Sequence, residues 1–343
     1  EEQWKKYTGL PYAYFLNSAT IGLNLAVEIL KEEYNWEDGD EIITTPITFV
    51  STNHAIPRAG LKAVFADIDD TMCLDPGSVE ERITDKTRAV IFVGIGGNTG
   101  HYTEVAKICK KHNIKLILDA AHMAGTRLDG TIPGKEADVV VYSFQAVKNL
   151  PTADSGMICF KNGRFDEIAR KKGWLGINKD TYTRTTNSGN YKWKYDVEYI
   201  GEKAHGNSVI ASIAIVQLKY LDRDNAYRAR LASWYRERLE QYAPEIKLVH
   251  VPDACSSSNH LFQVLVDNRD EVLQALNAAD IFPGVHYVDN TVYKMYAYAK
   301  GTCPHAEYVS EHILSLPMHM RLTFDDVQYI CDELVKIVHD QSK

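Results

Sequence analysis

A chain of 343 residues is long enough for two domains, or for one large body with a smaller lobe, and excludes a mini-protein. Hydrophobic residues make up 45% and charged residues 24%, enough apolar material for a substantial core, so wholesale disorder is excluded as well. Lysine and arginine number 38 against 46 aspartates and glutamates, a net charge of −8, and an acidic chain without a basic block is poorly suited to nucleic acid.

The N-terminus, Glu1-Glu-Gln-Trp-Lys-Lys, is too polar for a signal peptide. The longest apolar stretch, around Ala89 to Gly97, falls far short of the roughly 20 residues of a membrane-spanning helix. From about residue 17 to residue 160, short apolar runs alternate with amphipathic stretches of helix length, the rhythm of βαβ units. Five runs read as strands buried on both faces: Glu41-Ile-Ile-Thr-Thr, Ala63-Val-Phe-Ala, Ala89-Val-Ile-Phe-Val, Lys115-Leu-Ile-Leu-Asp and Asp138-Val-Val-Val-Tyr. Between them, Asp75-Pro76 predicts a capped helix start, and Val105, Ile108 and Cys109 share one helical face. The segment Gly94-Ile-Gly-Gly-Asn-Thr-Gly100 opens no helix with a dinucleotide fingerprint and reads as a flexible βα loop. That demotes a nicotinamide dehydrogenase.

A polar, aromatic-rich excursion follows from Gly173 to Tyr199, containing Trp174, Tyr182, Tyr191, Trp193 and Tyr195. From about Asn207 one long helical pattern runs through Ile215, Leu218 and Leu221 to Arg238. After Pro244, the strand-like Lys247-Leu-Val-His-Val and Leu261-Phe-Gln-Val-Leu-Val alternate with helices, the last opened by Thr323 with Asp326 three residues on. The expected organisation is a large domain over residues 1–240 and a small α+β domain over 241–343. Cysteines 73, 109, 159, 255, 303 and 331 form no C-x-x-C pair and no zinc spacing, so they read as reduced, mostly buried thiols; no metal site and a cytoplasmic location are expected.

In open parallel sheets ligands bind beyond the carboxyl ends of the strands. Asp119 ends one run, Ser143 ends another and leads to Lys148, and Asn17-Ser-Ala-Thr20 precedes a helix. An acid, an amine and a hydroxyl-rich helix N-terminus suit pyridoxal phosphate: a Schiff-base lysine, a partner for the ring nitrogen and an anion site. Alone, such an aspartate is more often a cap and such a lysine a surface residue. The wording around them is more specific. Leu118-Asp-Ala-Ala-His-Met-Ala-Gly125, Tyr142-Ser-Phe-Gln-Ala-Val-Lys-Asn-Leu150 and Asp154-Ser-Gly-Met157 together resemble the DegT/DnrJ/EryC1/StrS aminotransferase family of pyridoxal-phosphate, sugar-modifying enzymes. The resemblance continues through Gly39-Asp-Glu-Ile-Ile, Pro46-Ile-Thr-Phe-Val50, Ala66-Asp-Ile-Asp69, the segment from Gly201 to Asp222 and Gly284-Val-His-Tyr287.

The resemblance implies the α/β transferase fold type I, a mostly parallel central sheet flanked by helices plus a small C-terminal α+β domain, assembled as a homodimer. Lys148 becomes the Schiff-base amine and proton carrier, Asp119 the partner of the ring nitrogen, and Phe49 the ring that stacks on the cofactor. His122 stands where the family usually has Gln, near the cofactor's phenolic oxygen. Ser18, Ala19, Thr20 and Ser143 match the phosphate site, and Lys203 stands where a neighbouring subunit's Asn usually meets that phosphate. His286 and Tyr287 fall beside the substrate. From composition, Arg184 and Lys192 within the aromatic excursion suit a nucleotide diphosphate, with dimer packing an equal reading of that stretch.

The expected reaction passes an amino group from glutamate to a nucleotide-linked keto sugar. Two alternatives stand beside it: a sugar dehydratase of the same family, in which histidine replaces the lysine, and a pyridoxal-phosphate-binding regulatory protein without turnover. Lys148 argues against the first. The Ser-Ala-Thr segment, Lys203 and the Gly94 loop keep the second open. Neither nucleic acid nor membrane is an expected partner.

Overall fold

The computed structural model describes residues 1–178, 195–243 and 245–341. Seven strands form the main sheet: β1 (Tyr12–Leu16), β2 (Glu41–Thr44), β3 (Lys62–Phe65), β4 (Thr87–Val93), β5 (Lys115–Asp119), β7 (Val139–Ser143) and β8 (Gly156–Phe160). A short strand, β6 (Arg127–Leu128), pairs outside it with β10 (Cys255–Ser256). The sheet order is β1-β8-β7-β5-β4-β2-β3. All five expected runs lie in its parallel part, and β7 is buried at every position, as a strand covered on both faces must be. Sequence reading missed β1 and β8, which add an antiparallel edge with Tyr12 opposite Phe160. Tyr-Ala-Tyr-Phe-Leu and Gly-Met-Ile-Cys-Phe carry little β-branching, so their strand character comes from pairing, β8 with β7 and β1 with β8.

The helices are α1 (Glu2–Thr8), α2 (Ala19–Glu33), α3 (Val50–Arg58), α4 (Pro76–Glu81), α5 (Tyr102–Lys111), α6 (Gly163–Lys172), α7 (Ser208–Leu218), α8 (Leu221–Tyr242), α9 (Arg269–Ala278), α10 (Pro304–His312) and α11 (Phe324–Gln341). Asp75 caps α4 through the amides of Gly77 and Ser78. Thr323 and Asp326 exchange side-chain to backbone bonds of 2.7 and 3.2 Å at the start of α11, the expected capping box.

The pattern expected to form one long helix from Asn207 is two helices. The amides of Lys219 and Tyr220 bond to Val216 and Gln217, three residues back, so the α-helical ladder ends there in a tightened turn. Asp222 and Asp224 occupy the first turn of α8, where the N-terminal dipole favours acid.

Two buried apolar clusters organise the chain. One surrounds the main sheet and takes in Leu221 at the start of α8. The second gathers Leu231, Tyr235 and Leu239 of α8 with Val264, Leu314, Val327 and Leu334, over a three-stranded sheet of β9 (Lys247–Leu248), β11 (Phe262–Leu265) and β12 (Ile313–Leu316) in the order β12-β11-β9. Strand β9 is shorter than its apolar run because the His250 amide leaves to bond the Asp70 carbonyl in the first body. All six cysteines are free thiols, five of them buried. No described helix is long and apolar enough to cross a membrane.

Candidate active site

Parallel β4, β5 and β7 end together, so Val93, Asp119 and Ser143 reach one edge of the sheet. Helix α2 begins at that edge and packs against β7 and β8. Its first residues approach because Gly156 of β8 has no side chain: a Cβ there would sit 2.7 Å from the Ala19 nitrogen. Ser18 caps α2 by accepting from the Ile21 amide at 3.3 Å. The result is a crevice of 450 Å³ lined by Lys148 together with Ser18, Ala19, Thr20, Phe49, Thr52, Asp119, His122, Ser143, Asp154, His286 and Tyr287.

Asp119 is 3% exposed. Its Oδ2 accepts from the Thr52 hydroxyl at 2.8 Å and its Oδ1 from the Ala121 amide at 3.1 Å. Because Thr52 donates to the carboxylate, the Thr48 hydroxyl 2.9 Å away donates to Thr52, giving a relay of two hydroxyls that fixes the acid's orientation. Burial nevertheless holds the Asp119 carboxyl above its usual range. Burial also brings Lys148 down to about 8, against the opposing pull of Asp119. Phe49, set at the N-cap of α3, is 57% exposed. Its ring therefore faces the crevice and is not a core strand aromatic.

His122 is 6% exposed. Its Nδ1 accepts from the Gly96 amide at 3.1 Å, so in the neutral ring the proton sits on Nε2, which lies 3.3 Å from the Tyr287 hydroxyl. Burial, with the Lys148 charge adding to it, pushes the His122 pKa well below the ordinary value. His286 bonds Ser315 Oγ through Nδ1 at 2.9 Å and is likewise lowered by burial and Lys148. Tyr287 is raised by burial, which keeps its hydroxyl protonated.

The Gly94 to Gly100 segment is not the flexible loop expected from its glycines. Every residue of it is buried. The Gly94 amide bonds Asp119 O, Gly96 O accepts from the His260 amide, Gly97 O accepts from Thr126 Oγ1, and Asn98 Nδ2 reaches Thr71 O and His250 O. Glycine serves close approach here: at Gly97, with φ +94°, a Cβ would sit 2.2 Å from Ser258 Oγ.

Of the residues expected at the site, Ser18, Ala19, Thr20, Phe49, Asp119, His122, Ser143, Lys148, His286 and Tyr287 line the one crevice. Lys203 does not line the crevice of its own chain. Its ammonium stands 5.8 Å from the Trp174 ring centroid, and its carbonyl accepts from Asn17 Nδ2. Arg184, with Tyr182, Tyr191, Lys192 and Trp193, lies outside the described residues. Sequence reasoning missed Thr48, Thr52, Asn149, Asn225 and His260. The Thr48 and Thr52 pair carried a signal, two hydroxyls four apart at a helix start, whereas the others meet only in three dimensions.

The family model described as the DegT/DnrJ/EryC1/StrS aminotransferase family matches residues 1–335. The chain is 34% identical to the uncharacterized protein MJ1066 of Methanocaldococcus jannaschii, covering 99% of this chain and 89% of that one. It is 31% identical to dTDP-4-dehydro-2,3,6-trideoxy-D-glucose 4-aminotransferase of Saccharopolyspora spinosa, over 94% of this chain and 84% of the relative. The crystal structure of the aminotransferase TlmJ from Streptoalloteichus hindustanus superposes with a TM-score of 0.90 at 28% identity, over 99% of this chain and 90% of that one. The fold is that of the fold type I pyridoxal-phosphate-dependent aminotransferases. With a match across nearly its whole length, the chain belongs to the DegT/DnrJ/EryC1/StrS aminotransferase family of pyridoxal-phosphate-dependent sugar aminotransferases.

Proposed function

We propose that this chain transfers an amino group from glutamate to a nucleotide-linked keto sugar, with pyridoxal phosphate bound between Asp119 and the N-terminus of α2. The observation that carries the reading is the pairing of a buried acid, Asp119, with a desolvated amine, Lys148, in one crevice. The donor set fits the cofactor. Burial leaves the Asp119 carboxylate in want of a cationic hydrogen-bond donor, which a ring N–H supplies. The Ser18, Thr20 and Ser143 hydroxyls and the first amides of α2 suit a phosphate. Phe49 offers a ring face and His122 an Nε2–H for a phenolic oxygen.

When bound, the cofactor supplies a carbonyl that carries the amino group and a ring that accepts electrons from the substrate carbon. Lys148, neutral in a large fraction of molecules near its lowered pKa, first holds the cofactor and then moves the proton at the substrate's α-carbon. Asp119, locked by Thr52 and Ala121, keeps the ring nitrogen's proton in place. His286 and Tyr287 offer an imidazole and a hydroxyl that hydrogen-bond either a carboxylate or a sugar hydroxyl, as two substrates using one place in turn require. The name of the Saccharopolyspora relative, a keto-sugar aminotransferase, supports the acceptor class. Protein loaded with pyridoxal phosphate and given glutamate is expected to aminate at least one member of a panel of nucleotide-linked keto sugars, detected by mass spectrometry of the product. A loaded protein that consumes no glutamate with any of them counts against the reading.

A homodimer with shared sites is part of the proposal. Helix α7 is almost wholly apolar yet has no buried residue, and Val209, Ile215 and Val216 are exposed on it. Uncovered apolar surface of this kind favours a second copy. Lys203, just before α7, is then the residue offered to the partner's phosphate. Mixing Lys148→Ala with Lys203→Glu subunits under exchange is expected to restore up to about a quarter of wild-type activity, since a hybrid has one intact site of two. Demonstrated exchange with no recovery goes against a shared site.

A further inference from the structure

Behind the crevice, His260 has no role in the reading above. It lies between β10 and β11 and is 7% exposed. Its amide bonds Gly96 O at 3.0 Å, and its ring lies 4.2 Å from that of His122, centroid to centroid. Its Nδ1 meets Oδ1 of Asn149, the residue next to Lys148, at 2.9 Å. The proton on that contact can be assigned. Asn149 Nδ2 donates to Asn225 Oδ1 at 2.8 Å and to the Ser258 carbonyl at 2.7 Å, which uses both amide hydrogens and leaves Oδ1 as an acceptor. The His260 Nδ1 therefore carries the hydrogen, and its neutral ring leaves Nε2 bare. His122 has the opposite tautomer, because Gly96 donates to its Nδ1.

We propose that His260 is a positioning residue, whose Nδ1–H bond to Asn149 holds the Lys148 segment in register while its ring face fixes His122 toward the crevice. This rests on Lys148 being the reacting amine. Gly96 binds the His122 ring through its amide and the His260 backbone through its carbonyl, so one buried residue anchors both histidines, whose rings meet at 4.2 Å. Loss of the Nδ1 donor strands a buried carbonyl oxygen on Asn149, and a buried acceptor without a partner draws in water or turns. Either response hydrates the neighbouring Lys148 and moves it back toward an ordinary lysine. The ionisable groups sharing this environment are Asp119, His122, Asp154, His286 and Tyr287 around the crevice and, on the α8 side, Arg228.

The histidine nitrogens separate positioning from bulk. Asparagine places its Nδ2 where Nδ1 stands, whereas glutamine mimics Nε2. The test begins with borohydride reduction of cofactor-saturated wild type and mapping of the labelled lysine; a label elsewhere than Lys148 overturns the functional reading and this inference with it. With the label on Lys148, the pH dependence of cofactor capture is measured for His260→Asn, His260→Gln and His260→Leu. In Leu and Gln the capture midpoint is expected to rise by about one pH unit. Their kcat falls about tenfold with the glutamate KM within about threefold of wild type. Asn keeps the wild-type midpoint. A Leu variant with unchanged midpoint and kcat, or a Gln variant equal to Asn, overturns the role of His260 alone. Nitrogen-15 NMR of histidine-labelled wild type needs no variant to fold: it is expected to show His260 protonated on Nδ1, and protonation on Nε2 overturns the proposal.

Discussion

Lys148→Ala is expected to lower turnover at least about 1,000-fold, because it removes both the amine that holds the cofactor and the base that moves the α-proton. Borohydride should fix a pyridoxyl group on the wild-type lysine and none on the variant. The pH dependence of capture gives a sharper measure. Only the neutral amine attacks a carbonyl, and burial brings Lys148 to about 8 from an ordinary 10.5. At pH 8 roughly half of the amine is neutral, against about 0.3% for an unperturbed lysine. The capture rate is therefore expected to rise with pH and level off above about 8. A rate that keeps climbing toward pH 10 means that Lys148 is hydrated like a surface lysine, and the desolvated site is then wrong.

Asp119→Asn is expected to leave cofactor binding within about tenfold and to lower kcat about 100-fold or more, since a neutral amide cannot hold a ring nitrogen protonated. The surroundings make the substitution specific. Thr52 and the Ala121 amide both donate to the carboxylate, so one of these donors faces the NH₂ of asparagine. Thr52→Val keeps the charge and removes one donor, and its kcat should fall by only about tenfold. Equal losses in the two variants would show that orientation, not charge, is what Asp119 contributes. Normal turnover in Asp119→Asn would remove the residue from the chemistry.

Much of this protein was legible in the chain itself, for a physical reason that differs from residue to residue. Strands buried on both faces must be apolar throughout, so β2, β3, β4, β5 and β7 announce themselves, and the polar residue that ends such a run marks the ligand edge of the sheet. Asp119 and Ser143 were found that way. Lys148 and the Ser18 to Thr20 helix start were noted beside that edge as well, and the motif wording gave them roles and added Phe49. The chain could not reveal β1, β8 or β12, whose strand character is conferred by neighbours distant in sequence. It also misrepresented Gly94 to Gly100: glycine signals either freedom or close approach, and only the packing of Ser258, His122 and His260 around that segment decides for close approach. The same holds for the Asn149, Asn225 and His260 network, where hydrogen-bonded residues 76 and 111 positions apart in the chain meet because α8 and the β10–β11 connection dock against the end of β7. A hydrogen bond between such residues leaves no periodicity in the sequence, whereas burial makes its satisfaction obligatory in the folded chain.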